Sequence, residues 1–157
     1  GWTAFDSGAA HDEESGLWWS PVFDQQSITQ LAAICASFGD AEETWRLPTV
    51  DEARSRIAGC TATHTGGSCP ISDPGCLTRS CVEEQTCAGC TENEGPRGGC
   101  YLRAFSGTCP KTFTSSECSN CGAGKPLSVD YASGTVVTIP ATRPIGGFCV
   151  TTQRAGN

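Results

Sequence analysis

Apolar residues fall at helical spacing in two stretches of the first half of the chain and at strand spacing near its end. Ile28, Leu31, Ala32, Cys35 and Phe38 form one stripe of a helix. Ser27 and Gln30 supply a capping box at its start, and Gly39 is a natural stop. Cys35 lies on the apolar stripe and is expected to face the core. A second capping box, Thr49 with Glu52, opens a helix whose buried face is Val50, Ala53 and Ile57 and whose end is set at Gly59. Asp51 and Glu52 suit the positive end of its dipole. Leu127–Tyr131 alternates apolar and polar, 132–134 turns, and Thr135–Ile139 follows, which predicts a β-hairpin. Gly16–Ser20, stopped by Pro21, and 147–152 read as strands at the two ends. Strands, two helices, a long irregular region and strands again make an α+β chain.

The irregular region changes the picture. Between Cys60 and Cys121 neither period holds, and Gly, Pro, Ser, Thr and Cys dominate. Ten of the twelve cysteines lie there: Cys60, Cys69, Cys76, Cys81, Cys87, Cys90, Cys100, Cys109, Cys118 and Cys121. A loop of that length is unusual unless functional or cross-linked. An even, high cysteine count points to a disulfide framework and so to an oxidising compartment, secreted, cell-surface or periplasmic. The 157 residues are read as one domain, 1–157, with the Cys-rich insert at about 60–121. Nothing resembles a signal peptide, and the chain opens on Gly1 without Met, so it is expected to start after a processing or cloning boundary. No apolar run is long enough to span a bilayer.

Net charge is −7, and the ten Lys and Arg are scattered. Nucleic acid and anionic lipid are therefore poor partners, since both are held by clustered basic charge. Cys87-Ala-Gly-Cys90 and Cys118-Ser-Asn-Cys121 have zinc-ribbon spacing. Zinc needs thiolates that an oxidising compartment disfavours, so disulfides are the default and structural zinc or redox chemistry the alternatives. Neither CxxC shows the helix N-terminus that would activate a thiol. Asp73, Glu83, Glu84, Glu92, Asn93 and Glu94 offer oxygen ligands in the loop region, with calcium as the candidate ion. Tyr101, with Phe105, is either a local mini-core or a contact residue. His11 and His64 share no metal-ligand spacing, and no nucleophile motif accompanies them. No enzyme is expected, and no resident cofactor. Trp2, Trp18, Trp19 and Trp45 are candidate stacking platforms. Adjacent Trp18 and Trp19 must face opposite sides of a strand.

Trp45-Arg46-Leu47-Pro48-Thr49 leading into Asp51-Glu52 resembles the WRLPT-x-x-E motif of the C-terminal domain family of the Legionella collagen-like adhesin. Asp12–Trp19, Phe113-Thr114-Ser115-Ser116, Val129–Gly134 and Phe148-Cys149-Val150 resemble that family's other landmarks, in order. The chain departs from it where Thr114 replaces an aromatic and Phe148 a closing Arg. The insert resembles Cys-rich myxobacterial forms. The resemblance implies a C-type lectin-like fold with two short helices, a small antiparallel sheet and a long disulfide-rich loop region. It also implies a Cys35–Cys149 disulfide. The sugar-binding motifs of calcium-dependent C-type lectins, Glu-Pro-Asn or Gln-Pro-Asp with Trp-Asn-Asp, are absent.

The expected function is a secreted or cell-surface recognition module that binds glycan or an extracellular protein ligand through the Cys-rich region. The alternative is a structural subunit of an extracellular assembly, for which self-association would be the mark.

Overall fold

The computed structural model describes residues 1–154 apart from Pro74 and Ser106, so the last three residues of the expected 1–157 domain lie outside it. Strands β1 (Trp2–Ala4), β2 (Ala10–Asp12) and β3 (Trp18–Trp19) are followed by helices α1 (Ile28–Ser37) and α2 (Val50–Ser55). A four-residue helix, α3 (Arg79–Val82), lies in the Cys-rich region between two short 3-10 turns, Pro70–Ser72 and Gln85–Ala88. Strands β4 (Lys111–Glu117), β5 (Pro126–Asp130), β6 (Thr135–Thr138) and β7 (Val150–Thr151) complete the chain. The molecule is a small α+β protein with two antiparallel sheets, ordered β1-β2-β3-β7 and β4-β5-β6.

The single expected sheet is thus two. The reason lies in β7, whose two edges are both occupied. Val150 pairs with Trp19 of β3 on one side and with Arg46 on the other. The 126–138 hairpin, left without that neighbour, pairs instead with β4. The sequence reading missed β4, because it lies inside the segment taken as aperiodic. Its Lys-Thr-Phe-Thr-Ser-Ser-Glu run carries one large apolar residue, Phe113, which is fully buried.

Both capping boxes are formed. Ser27 accepts from the Gln30 N–H and Thr49 from the Glu52 N–H, and each partner side chain returns a bond to the cap N–H. The first helix ends at Ser37 with Gly39 beyond it at φ +78°. The second ends at Ser55, four residues before the Gly59 stop. There the backbone abandons helical bonding for the Cys-rich region: Ala58 N–H donates to Tyr101 O and Arg103 N–H to Arg56 O, and Ile57 bridges Leu102.

The core has two parts. One buries Leu31 and Cys35 of α1 with Trp45, Phe113, Ile139 and Cys149. The larger packs Trp19, Val50, Ala53, Ile57 and the inner face of β5 around Tyr131 and Phe148. Trp19 is fully buried, whereas Trp18 turns outward and stacks on His11 at 4.0 Å. Helix α2 is tied to the second sheet by the Tyr131 hydroxyl, which donates to Ala53 O at 2.7 Å. Burial pushes that hydroxyl far up, against the pull of Arg56, so it keeps its proton.

All twelve cysteines are paired. Cys35–Cys149 joins α1 to the segment leading into β7. The other ten pair among themselves: Cys60–Cys90, Cys69–Cys87, Cys76–Cys81, Cys100–Cys109 and Cys118–Cys121. The first three are concentric, each closing inside the one before. Six disulfides are compatible with a protein that folds in an oxidising compartment. Among the described residues, no helix is long and apolar enough to cross a membrane.

Candidate functional site

Helix α2 positions the site because of what it does with two arginines at its end. Arg54 and Arg56 are both fully buried, and neither forms a salt bridge among the described residues. The Arg54 guanidinium donates to Thr63 O at 2.7 Å, His64 O at 3.1 Å, Cys69 O at 2.9 Å and the Ser72 hydroxyl at 2.5 Å. A planar fork with five donors can gather carbonyls from separate turns in this way. Arg54 therefore moulds residues 63–72 against the end of the helix. Burial lowers its pKa, and the nearby carboxylates of Asp51 and Asp73 oppose that.

Where this moulded loop meets α2 and β4 there is a cleft of about 400 Å³. Val50, Ile71 and Leu77 line it with apolar surface, and Val50 and Ile71 are buried. Hydroxyls of Thr49, Ser72, Ser116 and Ser119 lie around it, together with Asp51 and Asp73. Two of these hydroxyls are oriented by backbone: Thr49 accepts from Glu52 N–H and Ser116 from Val50 N–H. The Asp51 and Asp73 side chains are exposed and have no hydrogen bond or ion pair among the described residues. The cleft is thus built jointly by the frame (α2 and β4) and by the Cys-rich insert.

Of the candidate ligand residues, only Asp73 reaches this cleft. Glu83 and Glu84 follow α3 at the surface, with Glu83 4.0 Å from Arg79. Glu92, Asn93 and Glu94 form a separate exposed turn, with Asn93 at φ +63° and its N–H bonded to Ala132 O. Tyr101 is buried and donates its hydroxyl to Thr91 O at 2.7 Å, which makes it a local core residue. No group of three or more His, Cys, Asp or Glu side chains suited to a metal occurs among the described residues. The carboxylates named as calcium candidates are therefore not gathered into one group among the described residues. The zinc-ribbon spacing is likewise split: Cys87 and Cys90 go to different partners, and Cys118 pairs with Cys121.

A wider groove of about 630 Å³ lies elsewhere, lined by Trp2, Asp12, Glu14, His64 and Arg103 among others. One of its two carboxylates, Asp12, is already committed, accepting from the Glu14 N–H and the Ser15 hydroxyl. Its aromatic Trp2 is committed too, with its ring centre 6.4 Å from that of Trp19 and the Arg56 guanidinium carbon 5.4 Å away. The α2 cleft keeps unpaired charge beside buried apolar surface, the combination typical of binding sites.

The sequence reading missed Arg54, Asp51 and the serines of β4. A signal for Arg54 was present: it lies four residues after Val50, beside Ala53 on the inward stripe, where a solvated arginine would not sit. Comparison with known protein families, characterised proteins and solved structures finds no match to this chain.

Proposed function

We propose that the protein is a secreted or cell-surface recognition module, extracellular or periplasmic, which binds its ligand in the cleft between α2, residues 71–73 with Leu77, and Ser119. The observation that carries this reading is the cleft itself, with a buried apolar floor and two unpaired carboxylates on a scaffold that disulfides hold in place. Pre-organisation of this kind reduces the ordering cost of binding. The proposal includes a C-type lectin-like arrangement related to the adhesin domain family. It is supported by the pairing of β3 with β7 near the two chain ends and by a long cross-linked region set against α2.

A binding screen of glycans and extracellular-matrix proteins tests the reading, run with calcium and with chelator. Saturable binding that is abolished by Ser119→Trp, which fills the cleft from its exposed rim, is the expected result. Absence of binding in both conditions would overturn it, as would binding that Ser119→Trp leaves intact.

A further inference from the structure

On the recognition reading above, we infer that the α2 cleft accepts an aliphatic primary ammonium, the side chain of a lysine presented by a partner protein. The cleft joins two features that such a side chain satisfies together. Half-buried Leu77 gives apolar surface for a methylene stem, with the buried Val50 and Ile71 packed behind it. Asp51 and Asp73 give two carboxylates for the charged end, and no basic residue lines the cleft. A lysine side chain is itself a long apolar stem with a compact point charge at its tip.

The nearby cation does not satisfy those carboxylates. Arg54 feels both of them, yet its N–H groups are turned onto three backbone carbonyls and the Ser72 hydroxyl. Two negative charges and one buried positive charge leave the site net negative. The Ser116 hydroxyl accepts from Val50 N–H through one lone pair and keeps another for an ammonium proton. An anionic ligand would meet repulsion here. A neutral sugar would offer the carboxylates hydroxyl donors but no opposite charge. A divalent cation would find too few ligands, since no metal-competent group of three occurs among the described residues. The chain's net charge of −7 would also draw a basic protein surface toward it.

The test uses the intact, oxidised chain and NMR titration with Nα-acetyl-lysine methylamide, its neutral counterpart Nα-acetyl-norleucine methylamide, and glucosamine. The lysine probe is expected to shift the amide signals of Val50, Ile71, Leu77 and Ser119 saturably, while the norleucine probe does not at equal concentration. Asp51→Asn and Asp73→Asn, both at exposed positions, should each weaken binding about threefold, and together about tenfold. Raising salt from about 0.15 M to about 1 M should weaken it further. Equal response to lysine and norleucine probes overturns the inference, as does indifference to both Asn variants. Glucosamine binding with Asp dependence, but no lysine binding, overturns the lysine assignment and leaves a cationic sugar as the occupant. A neutral glycan that binds in the cleft regardless of Asp51 and Asp73 sinks the ammonium inference alone. Failure of every ligand to respond to Ser119→Trp sinks the recognition reading with it.

Discussion

Two buried arginines, two residues apart, solve the problem of desolvation differently. Arg54 places all its donating nitrogens on acceptors. Arg56 has only Nη2 satisfied, by Arg103 O and Ala104 O, while Nε and Nη1 have no partner among the described residues. Its charge is held instead against ring faces: the guanidinium carbon is 4.8 Å from Phe148, 4.9 Å from Trp19 and 5.4 Å from Trp2. Burial pushes its pKa down to about 10, so it remains charged at neutral pH. A weakly hydrated, delocalised cation tolerates such a box; a compact ammonium does not. Arg56→Met should change stability by no more than about 1 kcal/mol, whereas Arg56→Lys should cost about 3 kcal/mol. Denaturant midpoints of the two variants give the answer, and a lysine variant as stable as the methionine one would refute the ring-box account.

Glu52 carries a second prediction at this scale. Burial would raise its carboxyl, but hydrogen bonds from Arg46 and the Thr49 N–H outweigh that and hold it below the ordinary 4.5. A carboxyl lowered by folding stabilises the fold at pH above its unfolded value and loses that contribution as pH falls through the folded one. Stability should therefore decline below about pH 4.5, and Glu52→Gln should flatten that decline in acid titrations followed by circular dichroism. These side chains show the limit of what the sequence disclosed. The cap residues Thr49 and Glu52 were legible because capping is local, set by residues three apart. The burial of Arg54 and Arg56 was not, because their partners at 63–72 and 103–104 arrive through the aperiodic insert.

At the level of elements, the hairpin turn and the insert are fitted to each other by one glycine. Gly89 sits at φ +88°, and a Cβ there would fall onto the Ser133 carbonyl oxygen. Its neighbour Cys90 donates to that same oxygen at 2.7 Å, and Thr135 Oγ1 donates to Ala88 O. Gly89→Ala should cost about 1–3 kcal/mol and speed hydrogen exchange of the Cys90 amide more than that of the α1 amides. Uniform loss of protection across the molecule would instead show that this contact is no separate local unit. Thr49→Ala removes the cap of α2 and should cost about 1 kcal/mol, measurable by chemical denaturation. The elements with strong local signals, α1, the start of α2 and the β5–β6 hairpin, were readable from periodicity. Strand β4 was not, since six of its seven residues are polar and its pairing is chosen by what β7 has already taken. Helix α2 ended early for a related reason: the pairing of 56–58 with 101–103 outcompeted another helical turn.

Across the whole molecule, Cys35–Cys149 closes a separation of 114 residues. In the chain-entropy account such a loop is worth about 4–5 kcal/mol. The bridges enclosed by it shorten the effective loop, which trims that figure by about 0.4 kcal/mol because closure entropy grows only with the logarithm of length. A Cys35→Ala, Cys149→Ala double variant should therefore lose about 4 kcal/mol in denaturant unfolding with the other bridges intact. A loss below about 1 kcal/mol would mean that the native packing of α1 carries the join unaided.

The concentric bridges Cys60–Cys90, Cys69–Cys87 and Cys76–Cys81 separate chain continuity from molecular integrity. Arg79 is exposed and lies within the innermost ring. A protease that severs the backbone after Arg79 would leave both new ends held by three successive covalent hoops. The nicked protein should run as one species until it is reduced, and then fall into two pieces. The wall of the cleft can thus be cut without being shed.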